Sequence, residues 1–75
     1  MVIAYIMVKA NTGEADRLKA GIVDIEGVNA AHIVAGDVDF IVRVEVDAPP
    51  NVKEIASAIQ AIDGIEGTQT YIAMG

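Results

Sequence analysis

Two aspartates flank a single valine in Gly36-Asp37-Val38-Asp39, and two threonines flank Gln69 in Thr68-Gln69-Thr70. Carboxylates at Asp37 and Asp39 could hold a hard cation, but such sites need further oxygen ligands, and none is obvious nearby in the sequence. The plainer reading is that Gly36 and Asp37 make a hairpin turn and Asp39 caps its edge. Gly36 would supply the positive φ that a tight turn asks for. On spacing alone the turn is the stronger reading. The two threonine hydroxyls would share one face of a strand, yet threonine is an ordinary strand residue.

No other group forms a catalytic set. His32 has no nearby acid or nucleophile to complete a triad, and Tyr5 and Tyr71 read as packing residues. There is no glycine-rich phosphate loop, no Cys-His pair and no pair of catalytic carboxylates. The chain has no cysteine and one histidine, which excludes disulfides, thiolate metal sites and multi-histidine sites. The residues therefore call for no enzyme, no metal and no cofactor.

The elements that must position Asp37, Asp39, Thr68 and Thr70 follow from the hydrophobic pattern. Val2 to Val8 is β-branched and aromatic and ends in a turn at Lys9 to Gly13, which reads as a strand. Thr12 is expected to cap a helix whose stripe is Ala15, Leu18, Ile22 and Ile25, with Gly27 as its stop. A second strand is expected from Val28 to about Ala35, and a third from Phe40 to Val46. Ala48-Pro49-Pro50 breaks the third strand. Asn51, with Glu54 three residues on, resembles a capping box for a second helix. Its stripe is Val52, Ile55, Ile59 and Ile62, and Gly64 ends it. The last strand runs from Ile65 to Met74.

A constant offset relates the two halves. Ala15, Leu18, Ile22, Ile25, Gly27 and Val28 correspond to Val52, Ile55, Ile59, Ile62, Gly64 and Ile65. Two such βαβ units joined at Gly36-Asp37 give a ferredoxin-like βαββαβ sandwich, a four-stranded antiparallel sheet with both helices on one face. The 75 residues make a single domain, 1–75, near the lower size limit for a self-sufficient core.

Phe40, Val42, Val44 and Val46 are expected under the helices, with Ile41, Arg43, Glu45 and Asp47 on the other face. The first strand is apolar on both faces. The open sheet face spans roughly 400 Å² from ordinary strand dimensions, large for an apolar patch on a monomer. With 53% hydrophobic residues and no disulfide available, oligomerisation is expected, most simply a face-to-face dimer with two-fold symmetry and a mixed apolar and polar contact. The formal charge is −6 and the five bases are scattered, so direct nucleic-acid binding is not expected. No signal peptide and no apolar run long enough to cross a bilayer is present, which points to the cytoplasm.

Four segments taken together, "AYIMVKA" at Ala4 to Ala10, "IEGV" at Ile25 to Val28, "GDVDFIVRVEV" at Gly36 to Val46 and "IDGIEGTQTYIAM" at Ile62 to Met74, are similar to the effector-binding domain of the Lrp/AsnC family of amino-acid-responsive regulators. The resemblance spans essentially the whole chain and rests on the order and spacing of short motifs. It implies sheet-to-sheet homodimers, octameric rings built from them, a free amino acid as effector, and association with full-length Lrp/AsnC-type regulators. It places the ligand near Gly36, Asp37, Asp39, Thr68 and Thr70, with the Asp39 carboxylate as first choice for the effector's ammonium, Asp37 as the second, and backbone N–H groups and the threonine hydroxyls for its carboxylate. Two departures stand out. Val38 occupies a position often aromatic in the family, and the chain begins at its first strand, so it resembles the stand-alone form without a helix-turn-helix domain. The implied function is an amino-acid-sensing module that modulates transcription through such regulators. The alternatives are a small dimeric α/β-barrel enzyme, with His32 its one candidate acid or base, and a structural oligomer without ligand.

Overall fold

The structure, a computed structural model, describes residues 1–75 apart from the side chain of Thr12; the cap expected at Thr12 lies outside the described residues. In chain order the elements are β1 (Val2–Ala10), a 3-10 turn (Thr12–Glu14), α1 (Ala15–Val23), β2 (Val28–Ile33), β3 (Phe40–Val46), α2 (Pro49–Gln60) and β4 (Ile65–Ile72). The sheet order is β2-β3-β1-β4, and each neighbouring pair is antiparallel. This is the ferredoxin-like sandwich expected from the hydrophobic pattern.

The core lies between the helices and one sheet face. Ala4, Ile6, Val8 and Ala10 of β1 and Phe40, Val42 and Val44 of β3 meet Leu18 and Ile22 of α1 and Val52, Ile55 and Ile59 of α2. Each of these large apolar side chains contributes roughly 1.5–3 kcal/mol by leaving water. The helices form because their apolar residues fall on one side at a helical period, and removing that face would leave them too short to persist alone.

The two halves are equivalent in geometry as well as in sequence. After α1, Ile25 N–H donates to the Ile22 carbonyl at 3.1 Å and Val28 N–H to that of Ile25 at 3.2 Å; after α2, Ile62 donates to Ile59 at 3.0 Å and Ile65 to Ile62 at 3.2 Å. Gly27 and Gly64 take φ of 98° and 106°, the left-handed conformation that closes such turns. Each turn is also covered by the helix of the other half. A Cβ at Gly27 would lie 2.6 Å from Ile55 Cδ1, and one at Gly64 would lie 3.3 Å from Leu18 Cδ2.

Three element ends differ from expectation. Helix α2 starts at Pro49 rather than after Asn51, because Pro fits the first turn, where no N–H is needed. Asn51 is thus the third helical residue, and its Oδ1 accepts the Ala48 N–H at 3.2 Å while its Nδ2 donates to Glu54 at 3.0 Å. Strand β2 stops at Ile33, short of Ala35, although Val34 N–H still donates to the Asp39 carbonyl at 3.0 Å. Strand β4 stops at Ile72, although Ala73 N–H still reaches the Ile3 carbonyl at 2.9 Å.

The outer sheet face carries no helix. In register across it stand Tyr71, Tyr5, Arg43 and Ala30, and beside them Gln69, Met7, Ile41 and His32. Tyr5 on the inner strand β1 and Tyr71 on the edge strand β4 are 38% and 53% exposed, so neither is the packing residue expected within this chain. Arg43 donates to Asn29 Oδ1 at 2.7 Å and lies 3.5 Å from Glu45. The face therefore has the mixed apolar and polar character read from the alternation.

Candidate ligand-binding site

The connection 34–39 is an open loop rather than a two-residue turn, and the physical reason is Asp39. Its N–H donates to the Val8 carbonyl at 2.8 Å and its carbonyl accepts from Val34 N–H at 3.0 Å. Its Oδ2 accepts the Ala10 N–H at 2.8 Å. Ala10 follows a register shift between β1 and β4, and the Asp39 carboxylate pairs with its N–H there. Asp39 therefore fastens the loop to the end of β1. Gly36 does not take the positive φ expected of it, since Gly27 and Gly64 are the positive-φ glycines of the chain. No atom lies within 4 Å of where its Cβ would stand, so the longer loop relieves the turn of any demand for glycine.

Beside this loop, on the open sheet face, is a cavity of about 340 Å³ lined by Met7, Lys9, Asp37, Val38, Gly67, Thr68 and Gln69. The alternation of β1 puts Met7 and Lys9 on this face, and the β1–β4 register sets Gly67 opposite Lys9 and Gln69 opposite Met7. Lys9 Nζ donates to the Asp37 carbonyl at 3.1 Å. Lys9 and the loop residue Asp37, joined through the Asp37 backbone carbonyl, thus line a mostly apolar hollow, an arrangement suited to a small molecule.

Of the five site residues expected, Asp37 and Thr68 line this cavity, Thr68 with its backbone and not with the hydroxyl expected to bind. Gly36, Asp39 and Thr70 do not. Thr68 and Thr70 pair with the core residues Val8 and Ile6, which turns them to the helix side of β4; the Thr68 hydroxyl donates to Gln60 Oε1 of α2 at 3.4 Å. Lys9, Met7, Val38, Gly67 and Gln69 complete the lining. Lys9 carried a sequence signal, a lone base closing an apolar strand, but nothing local joins it to Gly67.

A second hollow of about 390 Å³ lies at the other end of the sheet, between Glu26, Glu45, Asp47, Asn51 and Glu54. It is larger, but its charged side chains all have one sign and it is remote from the loop, so the smaller cavity is the better candidate. Among the described residues no cluster of three or more histidine, aspartate or glutamate side chains could hold a metal ion, and no helix is long and apolar enough to cross a membrane.

Residues 3–75 match the family model described as the Lrp/AsnC ligand binding domain. The HTH-type transcriptional regulator FL11 of Pyrococcus abyssi is 25% identical over 73 residues, which are 97% of this chain and 48% of that protein. The chain thus spans about half the length of the curated relatives it matches. Among solved structures, the hypothetical protein PHS023 of Pyrococcus horikoshii superposes with a TM-score of 0.88 at 28% identity, covering 99% of this chain and 90% of that one. The feast or famine regulatory protein of M. tuberculosis, complexed with L-methionine, has the same fold, with a TM-score of 0.83 at 18% identity over all of this chain and 51% of that one. The matched family is a ligand-binding domain of transcription regulators and not a catalytic one. By this match over nearly its whole length, the chain belongs to the Lrp/AsnC ligand-binding domain family.

Proposed function

We propose that this domain senses a free amino acid at the 34–39 loop and assembles through its open sheet face, sheet to sheet, in the cytoplasm. In that assembly it would modulate transcription by joining full-length Lrp/AsnC-type regulators. The observation that carries the reading is the cavity where Lys9 and Asp37 stand beside an apolar hollow, in a domain of a ligand-binding family. The L-methionine bound by the M. tuberculosis relative supports an amino acid as the ligand class. Assembly rests on the uncovered face with Tyr5, Met7 and Ile41. Roughly 400 Å² at about 25 cal/mol per Å² amounts to at most ~10 kcal/mol per subunit, against association costs of similar size. Shape and polar pairing across the face therefore decide the dimer's strength.

A ligand that binds only the folded chain raises its melting temperature. Screening the twenty standard amino acids for thermal stabilisation is expected to find at least one that does so at millimolar concentration. No shift with any of them favours a structural oligomer without ligand. Light scattering at micromolar protein and moderate salt is expected to give a mass above that of the monomer, and a monomer would overturn the assembly.

A further inference from the structure

We propose that His32 makes assembly through the open sheet face sensitive to pH, so that two copies pair while its imidazole is neutral and part when it is protonated. This rests on the sheet-to-sheet reading above and adds its regulation.

His32 is the single histidine of the chain, and histidine is the side chain whose charge ordinarily changes between about pH 5 and 8. Its neighbour Ala31 pairs with Val42 and is buried in the core, so the alternation of β2 turns His32 to the open face. There it stands exposed, opposite Ile41 of β3, which in turn is opposite Met7 of β1. Cross-strand neighbours lie roughly 5 Å apart. A second sheet seated on Ile41 and Met7 therefore covers the imidazole beside them.

The charges around His32 decide the sign. β2 is an edge strand, and the strand beside it is β3. On the open face of β3 stand Arg43 and Glu45, 3.5 Å apart, which largely offset each other. On β1 the charged residue of this face is Lys9, whose ammonium donates to the Asp37 carbonyl. In the 34–39 loop the Asp39 carboxylate is engaged by the Ala10 N–H, and Asp37 is the other acid there. The row of His32 itself holds Ile41, Met7 and Gln69 and no carboxylate. Among the described residues His32 forms no ion pair.

A proton on His32 thus adds a cation to a face that already carries Lys9 and Arg43 against Glu45. In a two-fold pair both copies bring the same surplus, and each imidazolium would lose water without gaining a partner. The same proton takes the formal charge of each copy from −6 to −5, which eases repulsion between whole molecules. That effect is screened beyond about 8–10 Å at ordinary ionic strength, so the local cost prevails.

The test is sedimentation equilibrium of the 75-residue protein at about pH 7.5 and about pH 5.5, at one ionic strength, over a micromolar concentration series. Two protons per dimer allow the dissociation constant to rise by at most about a hundredfold per pH unit on acidification, and a rise of at least about tenfold over the range is expected. His32→Gln, which stays neutral, is expected to keep one constant at both pH values. His32→Lys, which stays charged, is expected to be weakened at both. The helix signal in circular dichroism is expected to be the same throughout. An equal constant for the wild type at both pH values, a rise as large in His32→Gln, or a helix signal lost together with the mass overturns this inference and leaves the assembly reading standing. A monomer at both pH values and every concentration overturns both.

Discussion

Asp39 Oδ2 accepts the N–H of Ala10 at 2.8 Å, although the two residues are 29 positions apart. This bond joins the loop 34–39 to the end of β1 and so holds Asp37 beside Lys9. Truncation to Asp39→Ala would leave a part-buried N–H without its partner, a loss of about 1–3 kcal/mol. Asp39→Asn keeps an oxygen acceptor and should lose much less. Urea unfolding of the ligand-free protein checks this order, and equal stability of wild type and Asp39→Ala would refute it.

Gly27 and Gly36 should respond in opposite directions to alanine. At Gly27 the φ of 98° is costly for any side chain, and the new Cβ would meet Ile55 Cδ1 at 2.6 Å. Gly27→Ala should destabilise by about 1–3 kcal/mol. At Gly36 the backbone is not left-handed and the space is open, so alanine should stabilise by roughly 0.4–1 kcal/mol through the unfolded chain. Thermal unfolding of both variants decides it; a large loss at Gly36 would mean that its conformation differs from the one described.

Arg17 and Glu54 occupy equivalent places in the two halves. The Arg17 guanidinium donates to the Asp63 carbonyl at 3.0 Å and to Glu14 at 2.7 Å, closing the end of the first half against the turn of the second. At the equivalent place Glu54 stands among Glu26, Glu45 and Asp47 around the larger hollow. Glu54→Arg should relieve that repulsion and stabilise by up to ~1 kcal/mol, a gain that shrinks as salt is added. Melting temperatures at low and high salt measure it, and a loss at low salt would count against the electrostatic account.

The hydrogen bond and charge of Arg17 hold the Glu14 carboxyl below its usual range. Its folded pKa is depressed, so its small contribution is present above the unfolded pKa and is lost as pH falls through the folded one. NMR titration should therefore give Glu14 a midpoint below that of an unpaired glutamate, and Arg17→Ala should raise it. An unchanged midpoint in Arg17→Ala would show the pair to be open in solution.

The sequence by itself determined the architecture. The stripes from Ala15 to Ile25 and from Val52 to Ile62, each closed by a glycine, place two helices by local periodicity and turn chemistry alone. Phe40 to Val46 emerges at its observed bounds because strict alternation with a buried face admits one register of side chains. The site was legible only in part. Gly36, Asp37 and Asp39 could be picked out together, since a glycine and two acids before a strand mark a loop, but the reading favoured Asp39, and it is Asp37 that lines the cavity. The face taken by Thr68 and Thr70 could not, because β4 is an edge strand with polar residues on both sides, and the pairing of Val8 with Thr68 decides which side is inward. Nor could the neighbours Lys9 and Gly67, or the bond from Ala10 to Asp39, be read locally. They arise where β1 meets β4 and the 34–39 loop, and strand register between segments so distant in sequence is fixed by how the whole core closes.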